Sequence, residues 1–196
     1  MKHHGKDNIR IVLGIDPGSI VCGYGVIKTE VSGQNSRLRR VAGETDFRQK
    51  QSGIRLSGSG SCGYVASGRI MLSSKQPLHV RLRELYDSLT EVIREYSPDE
   101  VSVEKVFFAK SVRAALTLGH ARGVALLAAS SCGLPVYEYS ALEVKKSVVG
   151  YGRAEKDQVI GMVSRILNLG HKLSRDSADA LALALCHTNT LRIGNR

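Results

Sequence analysis

Residues 11–29 read IVLGIDPGSIVCGYGVIKT, and this stretch decides the fold. Ile11 to Ile15 are apolar and largely β-branched, the composition of a buried strand. Asp16-Pro17-Gly18-Ser19 is turn chemistry: Pro presets φ, Gly tolerates a sharp reversal, and Asp can hydrogen-bond its own backbone. Gly23 to Thr29 then regain strand composition, so the stretch predicts a strand, a tight turn and a hairpin partner. Asp16 stands where the first strand ends, the place ligands occupy in open α/β sheets. An ordinary Asx turn would explain it equally well on this motif alone.

Outward from the hairpin, residues 31–61 change to Ser, Gly, Gln, Arg and Lys with little periodicity and finish in SGSGSCG. That composition predicts a long loop or disordered insertion. Tyr64 to Leu72 recover strand character. Leu78, Leu82, Leu85, Leu89, Val92 and Ile93 recur at helical spacing within 77–96, and Pro98 closes that helix. VSVEKV at 101–106 alternates, which puts Val101 and Val103 on one face of a strand and Ser102 and Glu104 on the other. Residues 110–131 read as an Ala/Leu-rich helix ending near Cys132-Gly133, and 134–139 as a short strand. Ser140 caps a helix to Val149, another spans 154–169, and a last one runs from about Asp176 to Thr190 behind Ser174. Five strands, first in a hairpin and later alternating with helices, predict an α/β domain with a five-stranded mixed sheet flanked by helices. The chain reads as a single domain carrying the flexible insertion at 31–61.

Three segments of this plan carry carboxylates in unusual places. Glu104 lies inside a β-rich segment, where a half-buried acid needs a partner, a proton or a cation to offset its desolvation. Asp176 and Asp179 are three residues apart, hence neighbours on one helix face, in a first turn where the helix dipole favours negative charge. Capping explains either aspartate alone, but Asp179 leads into an Ala/Leu stretch that should lie on the sheet. Strand-end acid, strand acid and helix-start pair are the hard oxygen donors a two-metal phosphodiester hydrolase needs.

The totals agree with that chemistry. Lys and Arg number 28 against 18 Asp and Glu, a formal charge of +10, so the surface field attracts polyanions, with nucleic acid the leading class. No apolar run approaches the roughly 20 residues of a spanning helix. The start, MKHHGKDNIR, lacks the apolar middle of a secretory signal, which predicts a cytoplasmic protein. Cys22, Cys62, Cys132 and Cys186 show no CxxC or Cys/His cluster, so most read as reduced packing residues.

GIDPGS at 14–19 with GYGVI at 23–27, VEKVFFAK at 103–110, HARGVA at 120–125, VKKSVVGYGRAEK at 144–156 and DSADALALA at 176–184 together resemble the RuvC family of Holliday junction resolvases. The matches run in order over nearly the whole chain. The resemblance implies a ribonuclease H-like fold and a homodimer. It implies two sites that nick strands of like polarity across a four-way DNA junction, leaving 5′-phosphate and 3′-hydroxyl ends, in recombination and repair. It further implies Mg²⁺, two ions per site, with Mn²⁺ as a substitute, and cooperation with a RuvA–RuvB branch-migration machine.

Carried over residue by residue, the metal-binding carboxylates fall on Asp16, Glu104, Asp176 and Asp179. Phe107 matches the aromatic that stacks on a base near the junction point, while Lys145 and Lys156 match lysines beside the scissile backbone, counted with the catalytic set. Lys105, Lys110, Lys146 and Arg153 widen the basic track. Residues 31–61 have no obvious family counterpart; they read as a spacer, although Arg39, Arg40, Arg48, Lys50 and Arg55 offer charges for a DNA arm.

Three other readings compete. An actin-like or sugar-kinase ATPase shares the strand-turn-strand start but needs two such domains around its nucleotide, more than this length supplies. The related YqgF-type fold shares the acids but is usually shorter and lacks the VKKSVVG and AEK block. A junction-binding scaffold without activity would not be expected to keep all four acids.

Overall fold

The computed structural model describes residues 9–30, 62–105 and 111–193. The predicted insertion at 31–61, Phe107 and Lys110 lie outside the described residues. The deciding stretch forms the expected hairpin: β1 (Ile9–Asp16) pairs antiparallel with β2 (Val21–Glu30), Asp16 facing Gly23. The third strand, β3 (Cys62–Met71), continues the antiparallel edge, with a register shift between Val26 and Ile27. On the other side of β1, β4 (Glu100–Glu104) and β5 (Val136–Tyr139) add in parallel, giving the order β3-β2-β1-β4-β5. This is the five-stranded mixed sheet that the patterning predicts.

Five helices flank it. The first, α1 (Leu78–Tyr96), starts behind Pro77 and ends where Ser97 turns left-handed and donates its N–H to Ile93. Ser111 caps α2 (Val112–Ser131), and α3 (Ala141–Val149) opens with a capping box in which Ser140 and Glu143 satisfy each other's backbone. Two more complete the layer: α4 (Lys156–Ile166), and α5 (Arg175–Ile193), whose first turn is closed by Ser174 accepting from the Ser177 N–H.

Strand alternation divides the core in two. Leu13, Ile15, Val26, Val101 and Val103 face Leu85, Leu89, Val92 and Ile93 of α1 and the small side chains Ala121, Ala125, Ala128 and Ala129 of α2. Val12, Ile27 and Tyr139 face Val144 and Val148 of α3, Val159 and Val163 of α4, and the Ala/Leu face of α5. Glycines let α5 lie directly on β1 and β2: a Cβ at Gly14 would come within 2.0 Å of the Ala180 carbonyl oxygen, and one at Gly25 within 2.7 Å of Leu181. This close approach fixes where the α5 acids stand over the sheet.

Candidate active site

The four carboxylates come together from three elements. Asp16 ends β1, and the turn after it is held by Arg81, which donates from Nη1 to the Ser19 carbonyl at 2.6 Å, and by the Leu72 N–H on Ile20 at 2.8 Å. Glu104 ends the parallel neighbour β4; the pairs Gly14–Ser102 and Ile15–Val103 bring both strands to the same edge. Asp16 and Glu104 lie two residues beyond Gly14 and Ser102 and share their side of the sheet, so they project toward the face covered by α5. There Asp176 and Asp179 occupy the first turn of α5, and the Asp176 carbonyl oxygen fills the space beside Gly23, 2.1 Å from where a Cβ would sit.

Burial and crowded negative charge together set the electrostatics. Burial pushes the Asp16 carboxyl up, and Asp179, Glu104 and Asp176 push it further, to about 7. Glu104 is raised by burial and then by Asp179. The opposing charge is Lys156, whose Nζ lies 3.2 Å from Asp179 Oδ2; Asp179 in turn raises the lysine above its ordinary range. Lys156, Lys145, Glu104 and Asp179 line one cleft with Ala141, Val144, Val159 and Leu183. The two lysines singled out in the sequence therefore stand with the acids.

Among the described residues, the other predicted cations stand apart from that cleft. Lys105 is exposed just beyond β4, its N–H on the Tyr139 carbonyl at 2.8 Å, and its charge helps hold Glu143 below the carboxylate range after the hydrogen bonds from Ser140. Lys146 is exposed on α3, and Arg153 is exposed between α3 and α4. Cys22 and Cys186 are buried as expected, whereas Cys132 is exposed.

Sequence reasoning missed Arg122. It sits on α2, donates from Nε to the Glu104 carbonyl at 3.2 Å and pairs with Glu138 of β5, tying down the strand end that carries the acid. The signal was a guanidinium set among small and apolar residues of an Ala-rich helix, within HARGVA. A second network anchors the far end of β4: burial pushes Glu100 up, yet the hydrogen bond with His187 at 2.6 Å and the charge of Arg10 carry it below its ordinary value. Tyr139 Oη meets the other His187 nitrogen at 2.7 Å, so β1, β4, β5 and α5 are linked.

The donor set suits a hard divalent cation, since it offers carboxylate oxygens with no thiolate or imidazole among them. As the side chains stand, no three His, Cys, Asp or Glu groups among the described residues draw close enough to enclose a metal ion. The cation among the carboxylates is the Lys156 ammonium. Among the described residues, four acids set against the Lys156 and Lys145 ammonium groups leave excess negative charge, which a divalent ion would neutralise while releasing the proton held on Asp16.

Comparison with known proteins agrees with this fold. The family model described as Crossover junction endodeoxyribonuclease RuvC matches residues 48–187, a span that holds Glu104, Asp176 and Asp179 and begins downstream of Asp16. A Crossover junction endodeoxyribonuclease RuvC from Saccharophagus degradans is 44% identical over 180 residues, 92% of this chain and 88% of that protein. The Thermus thermophilus RuvC structure superposes with a TM-score of 0.72 at 31% identity, covering 94% of this chain and 97% of that one. T. thermophilus RuvC in complex with Holliday junction substrate gives 0.74 at 29% identity, over 95% and 97%. The fold is thus ribonuclease H-like, and the chain belongs to the RuvC family of crossover junction endodeoxyribonucleases.

Proposed function

We propose that Asp16, Glu104, Asp176 and Asp179 hold the divalent metal with which this endonuclease nicks four-way DNA junctions. The observation that carries the reading is the convergence of four carboxylates from β1, β4 and α5 on one sheet face, where burial and then the neighbouring acids push Asp16 to about 7. Mg²⁺ fits the oxygen donors, two ions to a site, with Mn²⁺ as a substitute. Bound metal supplies Lewis-acid stabilisation to the attacking water and the leaving oxygen of an in-line displacement. The protein's own residues do the rest. Asp16 gives up its proton as positive charge arrives, Glu104 and the α5 pair fix the donor positions, and Lys156 and Lys145 neutralise the scissile phosphate in the shared cleft. Cleavage leaves 5′-phosphate and 3′-hydroxyl ends for ligation.

The wider reading rests on family membership and on surface character. Phe107 stacks on a base near the crossover, and Lys105, Lys110, Lys146 and Arg153 extend the basic track. A homodimer supplies two sites for symmetric nicks, and α2 offers a surface for it: Val112, Leu116 and Leu127 are 78%, 61% and 57% exposed, and nothing lies within 4 Å of a Cβ built at Gly119 or Gly123. Among the described residues no helix is long and apolar enough to cross a membrane; the protein works in the cytoplasm on junctions delivered by a RuvA–RuvB machine. It is a single nuclease domain in which residues 31–61 serve as a spacer. With Mg²⁺, the purified protein should cut a mobile four-way junction and leave a linear duplex of the same sequence largely intact. Equal cleavage of both would reject the proposal.

A further inference from the structure

The sheet face that carries the acids also carries cations that the carboxylate site does not use. Asp16, Gly23 and Arg69 form one rung across β1, β2 and β3, and residues paired across strands project to the same face. Asp176 fills the space at Gly23, so this acid stands between Asp16 on one side and Arg69 on the other. Arg69 is exposed. Meanwhile α4 presents Lys156 to the carboxylates but turns Asp157, Ile160 and Gly161 to a separate cleft of ≈ 350 Å³, completed by Lys172, Leu173 and Arg175. Arg175 immediately precedes Asp176, which places this cleft beside the acid pair.

Lys172 and Arg175 are both exposed, and none of the three cations has an ion-pair partner among the described residues. Among the described residues, Asp157 is the one acid lining the cleft. Three unpaired cations beside four carboxylates would be drawn into salt bridges if local pairing were their role. They stand open to solvent instead, where an extended polyanion can reach them. A DNA strand whose phosphate lies over the acids must continue past them in both directions. Lys145 and Lys156 line one flank; Arg69, Lys172 and Arg175 stand on the flank formed by β3, the α4–α5 connection and the first residue of α5.

We propose that Arg69, Lys172 and Arg175 form a second phosphate-binding track that grips the junction backbone outside the scissile phosphodiester. It rests on the junction-nuclease reading above and adds a recognition surface to it. Each phosphate neutralised releases condensed counterions, so the salt dependence of binding counts such contacts, with a slope of roughly 0.9 per phosphate on duplex DNA.

The test is junction binding in EDTA across a salt series, comparing the unsubstituted protein with the triple variant Arg69→Ala, Lys172→Ala, Arg175→Ala. The triple variant should bind at least about tenfold more weakly at low salt, with a slope shallower by about 2–3. The charge-preserving variant Arg69→Lys, Lys172→Arg, Arg175→Lys should keep the original slope. Unchanged slope and affinity in the alanine variant would overturn the track, and if the unsubstituted protein still bound and cut junctions, the nuclease reading would stand. An affinity loss at unchanged slope, or one shared by the charge-preserving variant, marks a structural effect and would also overturn it. Failure of the unsubstituted protein to bind junctions at all would bring down both.

Discussion

At the scale of single residues, Asp16 shows what the crowding of the proposed metal site costs the metal-free protein. Its carboxyl ordinarily titrates near 3.8 and here is held at about 7 by burial and three neighbouring acids. Between those values the folded chain keeps a proton that the unfolded chain has released. Stability therefore declines as pH rises through that window. Asp16→Asn removes the liability, so in EDTA the variant should be more stable than the parent at pH 8, by up to about 4 kcal/mol, with the gap closing toward pH 4. Urea denaturation at the two pH values measures it; an equal gap at both would contradict the assignment. The four acids were legible as a set and not singly: an Asx turn accounts for Asp16 and capping for either α5 aspartate, and it was their placement at a strand end, on a strand and on one helix face, with the family resemblance around them, that joined them. The Lys156–Asp179 contact and the grip of Arg122 on Glu104 were not, because lysine direction and guanidinium reach depend on tertiary placement that no spacing encodes.

Elements were legible where periodicity was strong. The alternation of VSVE placed Val101 and Val103 on the α1–α2 side and Glu104 on the other, and the Ser140 cap fixed the start of α3. Boundaries moved by a few residues: β5 begins at Val136 rather than 134, and α4 starts at Lys156 after Glu155 caps it. What the pattern did not reveal is why Gly14, Gly23 and Gly25 recur through the hairpin. Read in isolation they weaken strands; in the fold they open the surface on which α5 lies. Gly14→Ala should therefore destabilise by about 1–3 kcal/mol through overpacking against the Ala180 backbone, and should lower cleavage along with stability because α5 carries two of the acids. A thermal melt reads the first effect and a junction assay the second; an unchanged Tm would show that α5 is not seated as described.

At the scale of the whole molecule, an excess of ten positive charges announced a polyanion partner but not its shape, since net charge carries no geometry. Pairing of two chains is an expectation of the resemblance alone: helical periodicity in α2 is blurred by its Ala and Gly content, and only the fold separates the buried Ala121, Ala125 and Ala128 from the exposed Leu116 and Leu127. If α2 joins two copies, Leu116→Glu with Leu127→Glu should give a monomer by sedimentation that no longer makes paired nicks. A variant that remained dimeric would place the interface elsewhere. The central claim is that the carboxylates of β1, β4 and α5 form the metal site that cuts junctions, and its most direct measurement is cleavage of a four-way junction by Asp16→Asn with Mg²⁺, alongside junction binding by the same protein. The predicted result is undiminished binding with cleavage reduced at least about a hundredfold, roughly 2.7 kcal/mol in barrier height; full cleavage by the variant would contradict the account.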